Sequence, residues 1–188
     1  MGCVIKDKIL SLLFHALLIL KYMTKTLVII RHAKSTWEYG HISDLDRPLK
    51  EIGISNTILV SSKLKDLKIV PDLVISSPAV RALHTALIVS RELGYPAGKI
   101  QIDPGFYSES EDDILGLIKV VGDNVNTLFV FGHNPGFTFL SNYFLNHSID
   151  NLPTSGVVIL NFKTDKWSSL SKGCVVDENL ILPKELKA

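Results

Sequence analysis

Cysteine is nearly missing from this chain of 188 residues, which has only Cys3 and Cys174. They are too few and too far apart for a disulfide framework, a CxxC motif or a Cys-rich zinc site. A reducing compartment fits this usage, so a cytoplasmic location is expected, and nothing in the sequence implies a metal or an organic cofactor. An excess of one charge is missing too. Twenty Lys and Arg stand against nineteen Asp and Glu, and no basic block is long enough to follow a phosphodiester backbone, which argues against nucleic acid as a partner. Repeats, low-complexity tracts and Pro/Ser linkers are also lacking. The length suits one hydrophobic core, while the oligomeric state leaves no mark in the sequence.

A membrane-spanning run is absent as well. Ile9 to Leu20 is apolar except for Ser11 and His15, but as a helix it would rise about 18 Å against the roughly 30 Å of a bilayer core. Lys21, Tyr22, Met23 and Thr24 offer no small-residue cleavage site, and Lys6 stands where a myristoylation pattern wants Ser or Thr. Met23 is therefore read as the natural start, with residues 1–22 as an apolar extension and residues 23–188 as the domain. Membrane association through residues 1–22 is the alternative.

What is present is an alternation of short β-branched runs with longer helical patterns, the mark of a single α/β domain. Its central sheet is expected to be mostly parallel, with helices on both faces. Strands are expected at Leu27–Ile30, Leu73–Ile75, Leu128–Phe131 and Val157–Phe162, with a last short one near Trp167–Leu170. Helices are expected at Leu49–Leu67, Ala79–Leu93, Glu111–Val121 and Pro135–Leu145, and Gly94–Gly105 reads as loop.

Three of these strand ends carry the chemistry. Arg31 and His32 follow the first strand, Ser76-Ser77-Pro78 leads to Arg81 after the second, and Gly132-His133-Asn134-Pro135-Gly136 follows the third. Parallel α/β sheets place their ligand crevice at the carboxyl ends of the strands. Two arginines and two histidines gathered there, with no internal carboxylate in view, would repel one another unless an anion sat among them, and phosphate suits the set. Arginine matches two phosphoryl oxygens with its planar fork. A neutral imidazole aimed by its other nitrogen can attack phosphorus. Free N–H groups at the helix starts after Pro78 and Pro135 would add donors. His15, His84 and His147 lack partner motifs and are read as non-catalytic. His41 lies in a polar loop, Ser35 to Arg47, long enough to cover the site.

The run Leu27 to Ser35, then Arg47-Pro48-Leu49 with Gly53, then Ser76-Ser77-Pro78 with Arg81-Ala82 and Thr85-Ala86, and finally Gly132 to Gly136, resembles the histidine phosphatase superfamily. It is most similar to the short phosphohistidine phosphatases of the SixA type. The resemblance spans roughly Met23 to Leu182 and implies a phosphoglycerate mutase-like fold and a metal-independent phosphatase. His32 would be the nucleophile that is transiently phosphorylated. Arg31 and Arg81 would hold phosphoryl oxygens, His133 would donate to the same oxygens, and Arg47 would be a further substrate-binding residue. The superfamily's usual Arg-His-Gly is Arg-His-Ala here, which requires at position 33 a backbone conformation that alanine tolerates.

A proton donor for an alkoxide leaving group is the part that fails to stand out. Glu109, Glu111, Asp112, Asp113 and Asp44 are the acidic candidates, and they read as a solvated loop and an acidic first helical turn. Such a site suits a phosphoramidate, whose imidazole leaves readily, so the expected substrate is phosphohistidine on a protein. The competitors are a phosphatase for small phosphoesters or pyrophosphates on the same scaffold and a non-catalytic phosphate-binding module.

Overall fold

The computed structural model describes residues 24–38 and 41–187; the extension and the apolar run Ile9–Leu20 lie outside them. Four β-branched stretches form strands close to the expected bounds: β1 Thr24–Arg31, β2 Leu73–Ser76, β4 Thr127–Gly132 and β5 Val157–Lys163. A two-residue strand, β3 Gln101–Ile102, interrupts the stretch read as loop. Between them lie α1 Glu51–Asp66, α2 Val80–Leu93, α3 Glu111–Lys119 and α4 Gly136–Phe144. Among the described residues no helix is long and apolar enough to cross a membrane.

The last strand departs from expectation. Trp167–Ser169 is a 3-10 turn rather than a strand, because the fully buried Trp167 acts as a plug under the core. Its indole Nε1 donates to the Val125 carbonyl at 2.8 Å and its backbone N–H to Asp123 Oδ1 at 3.1 Å. The sixth strand is β6 Val175–Ile181, whose central Asp177, Glu178 and Asn179 suit a sheet edge.

The strands lie in the order β3-β2-β4-β1-β5-β6. β1, β2, β3 and β4 pair in parallel, β5 runs against β1, and β6 runs against β5. β5 is thus the one reversed strand in a mostly parallel sheet. Strand side chains alternate between faces. Leu27 and Ile29 of β1, with Leu128 and Val130 of β4, meet Ile114 and Ile118 of α3 and Phe137 and Leu140 of α4. Val28 and Ile30, with Phe129 and Phe131, meet Val60 and Leu64 of α1 and Ala86 and Val89 of α2. Both faces are therefore covered, which is why the parallel strands read as continuous apolar runs.

Candidate active site

β1, β2 and β4 are parallel neighbours, so their carboxyl ends share one edge of the sheet, and there the chain leaves each strand for a polar turn. The His32 backbone N–H donates to the Gly132 carbonyl at 3.0 Å, and that of Ser77 to the Phe131 carbonyl at 2.9 Å, locking the three exits side by side. Gly132 is required: a Cβ there would lie 2.5 Å from both the Phe106 carbonyl and the Phe137 ring. Beyond β1, the Ala33 N–H donates to Thr85 Oγ1 of α2 at 2.9 Å. Ala33 is fully buried and has a negative φ, since Lys68 and Ser155 are the non-glycine residues with positive φ among those described. Alanine fits position 33 as expected. Ser155, just before β5 at φ 59°, donates its N–H to the Arg31 and His32 carbonyls at 3.2 and 3.3 Å, holding the turn from the other side.

The four expected residues come together. The His32 and His133 ring centroids are 4.9 Å apart, and both arginines lower the pKa of both rings. His32 Nδ1 lies 2.8 Å from the Ala33 carbonyl. A carbonyl can only accept, so Nδ1 carries the proton and Nε2 keeps its lone pair. His133 Nε2 lies 2.8 Å from Ser77 Oγ. Ser77 Oγ also accepts from the Ala79 N–H; when its hydroxyl donates to His133 Nε2, the His133 proton sits on Nδ1. Burial, strengthened by the nearby guanidinium groups, holds His32 down to about 4; burial, then His32 and Arg81, hold His133 down to about 3. Both rings are therefore neutral near pH 7.

Each arginine is pinned at one end. Arg31 Nη1 donates to the Leu152 carbonyl at 2.7 Å and to Asn151 Oδ1 at 3.3 Å. Arg81 donates from Nη1 to the Asp44 carbonyl and from Nη2 to Asp44 Oδ2 at 2.8 Å. Arg31 Nε, Arg81 Nε and His133 Nδ1 remain buried with no hydrogen-bond partner among the described residues. Three unpartnered nitrogens, two of them guanidinium donors, around one neutral imidazole make a cradle for an oxyanion.

Three expectations meet a different arrangement. The pocket has an internal carboxylate after all: Asp44, read as part of a solvated loop, pairs with Arg81 and Arg47. It arrives because the Ser35–Leu49 bridge and the Val80 N–H, which donates to the Leu45 carbonyl at 2.8 Å, fold the loop across the start of α2. That same bond occupies an N–H counted on as a free donor at the helix start. Arg47, expected to bind substrate, spends its guanidinium on the protein: Nε donates to the Thr36 carbonyl, Nη1 to Asp44 Oδ1 and Nη2 to Ser35 Oγ. Its flat face covers the Trp37 ring at 3.3 Å from the centroid. His41 is exposed.

Glu111, Asp112 and Asp113 do form the first turn of α3, which Ser110 caps by accepting from the Asp113 N–H. Tyr107 was not singled out from sequence. Its hydroxyl donates to Asp44 Oδ2, and its ring meets His133 edge-on at 4.7 Å between centroids. Its one signal is position: it follows β3, a fourth parallel strand too short to recognise. Among the described residues, no group of three His, Cys, Asp or Glu stands together as a metal site would require.

A family model, histidine phosphatase superfamily (branch 1), matches residues 27–108. An uncharacterized Mycobacterium tuberculosis protein is 30% identical over 165 residues, covering 82% of this chain and 100% of that protein. A 2,3-bisphosphoglycerate-dependent phosphoglycerate mutase of Chlamydia felis is 39% identical over 103 residues, covering 50% of this chain and 44% of the mutase. Among solved structures, the protein histidine phosphatase SixA complexed with tungstate superposes with a TM-score of 0.70 at 21% identity, over 86% of this chain and 99% of that one.

Proposed function

This chain belongs to the histidine phosphatase superfamily, and on that premise we propose that it is a phosphatase that takes the phosphoryl group of a protein phosphohistidine onto His32 and then hands it to water. The reading is carried by one observation: a neutral His32 with its Nε2 lone pair free, set among three buried nitrogens that have no partner of their own. Nε2 attacks phosphorus as the P–N bond of the donor breaks, and the donor imidazole, already carrying a proton on its other nitrogen, leaves neutral. Water then attacks phosphorus, the P–Nε2 bond breaks, and orthophosphate leaves while His32 returns to its starting form. Arg31 and Arg81 hold the phosphoryl oxygens through their Nε edges, and His133 donates from Nδ1. Arg47 serves substrate at second hand, through Asp44 and Trp37. The chemistry as written uses side chains alone.

Two features support the phosphoramidate over an ester. Asp44, the acidic side chain bound to Arg81, is desolvated, which alone would raise its pKa, but hydrogen bonds from Tyr107, Arg47 and Arg81 outweigh this and hold it well below the ordinary carboxylate range. It stays ionised and has no proton to give a poor leaving group. Exposed apolar side chains also belong to the segments that pack on the site, Trp37 over Arg47, Tyr107 against His133, and Leu45 with Val80 at the start of α2, and a protein donor can rest on such side chains while a small hydrophilic phosphoester has no use for them. The similarity to a phosphoglycerate mutase over half the chain favours the second reading, a small phosphoester.

Rapid quench with a phosphohistidine-bearing protein should place acid-labile phosphate on His32, and His32→Ala should abolish both label and turnover while the fold persists. Label elsewhere, or an active His32→Ala, would end the proposal. A higher kcat/KM on phenyl phosphate than on the phosphoprotein would select the small-ester reading.

A further inference from the structure

We propose that Asp44 is a positioning residue, its carboxylate gripping the terminal nitrogens of Arg81 so that the Nε edge of that guanidinium is the one left for the phosphoryl group. The inference rests on the reading above and adds a residue to it. Arginine offers an acceptor two forks: the two terminal nitrogens end-on, or Nε with one terminal nitrogen side-on. Here the end-on fork is fully used, Nη1 by the Asp44 carbonyl and Nη2 by Asp44 Oδ2. Nε stays buried and unpartnered. Arg31 shares part of this arrangement, with Nη1 on the Leu152 carbonyl and Nε unpartnered. One difference separates the two. Arg31 is tied to protein through neutral oxygens, whereas Arg81 is tied through a charge that two other groups, Arg47 and Tyr107, also depend on.

Asp44 Oδ1 takes Arg47 Nη1 at 2.9 Å, and Oδ2 is shared between Arg81 and the Tyr107 hydroxyl. The carboxylate thereby fixes Arg47 against Trp37 and Tyr107 against the edge of His133. With every strong donor around it already engaged, it has no means of relaying a proton to a leaving group. It acts through Arg81, and misplacing a phosphoryl donor by about 1 Å is enough to cost roughly 100-fold in rate.

The test compares wild type, Asp44→Asn, Arg81→Ala and the double variant. Donors are a phosphohistidine protein, p-nitrophenyl phosphate and phenyl phosphate, and tungstate binding is measured by calorimetry. Asp44→Asn should lower kcat/KM by about 10- to 100-fold, by one common factor for every donor wild type turns over, and should weaken tungstate binding. In the Arg81→Ala background the same substitution should change kcat/KM by less than about twofold, because the group it acts through is gone. Four results would overturn the inference: full activity in Asp44→Asn, a loss that grows with the basicity of the leaving group, an undiminished loss without Arg81, or tighter tungstate binding. Wild type that turns over no donor would instead defeat the phosphatase reading, and the tungstate comparison would still decide for or against Asp44.

Discussion

His32 and His133 are ordinary imidazoles placed where protonation is costly. Each is largely withdrawn from water and flanked by guanidinium groups, so the charged form loses hydration and gains a repulsive neighbour. In phosphate-free buffer, NMR titration of ring-labelled protein should show His32 changing protonation near pH 4 and His133 near pH 3, not near the 6.5 of a free imidazole. Added orthophosphate should raise both, because an anion beside a ring favours its charged form. Titration of either ring near 6.5 without phosphate would mean that the pocket admits water freely, and the neutral nucleophile would lose its basis. These two rings and both arginines were legible in the sequence, since each stands just past an apolar strand or its turn. Asp44 was not. Its partners Arg81 and Tyr107 lie 37 and 63 residues further along, and no local periodicity reports a contact of that range.

At the scale of elements, the contact between α1 and the turn after β1 decides whether His32 sits correctly. Gly53 faces the backbone of Lys34, and a Cβ there would fall 2.4 Å from the Lys34 carbonyl oxygen and 2.9 Å from its nitrogen. Main-chain atoms cannot swing aside as a side-chain tip can. Gly53→Ala should therefore cost roughly 1–3 kcal/mol and lower kcat by moving the His32 turn. Gly116→Ala, inside α3 with nothing within 4 Å of the added Cβ, should stabilise by about 0.5–1 kcal/mol. Denaturant unfolding of the two variants checks both signs. The elements themselves were legible where they are long and apolar, as β1, β4, β5 and α2 are. β3 was hidden by having two residues, β6 by the polar run Asp177-Glu178-Asn179 at its middle, and Trp167 mimicked a strand because aromatic burial and strand propensity look alike in sequence.

Across the whole molecule, the site takes a share of the stability and makes it depend on pH. The pKa values of His32 and His133 are lower in the folded chain than in the unfolded one, so between about pH 6.5 and 4 the unfolded chain binds more protons and gains on the folded one. Their contribution is whole above pH 6.5 and is lost as pH falls toward the folded values. Asp44, also depressed, extends the loss below the ordinary carboxylate range. Thermal unfolding without phosphate should show a midpoint that drops between pH 7 and 4.5, at roughly 2–4 °C per kcal/mol for a domain of this size. A variant with both His32→Asn and His133→Asn should drop less; an equal drop would assign the acid sensitivity elsewhere. The Ser155 turn has a consequence of another kind. The carbonyls of Arg31 and His32 are held by a residue more than 120 positions later, at the threshold of the one reversed strand. A ribosome that has made only the first two thirds of the protein has therefore released His32 without its backstop, and the turn that holds this ring can close only after Ser155 has emerged.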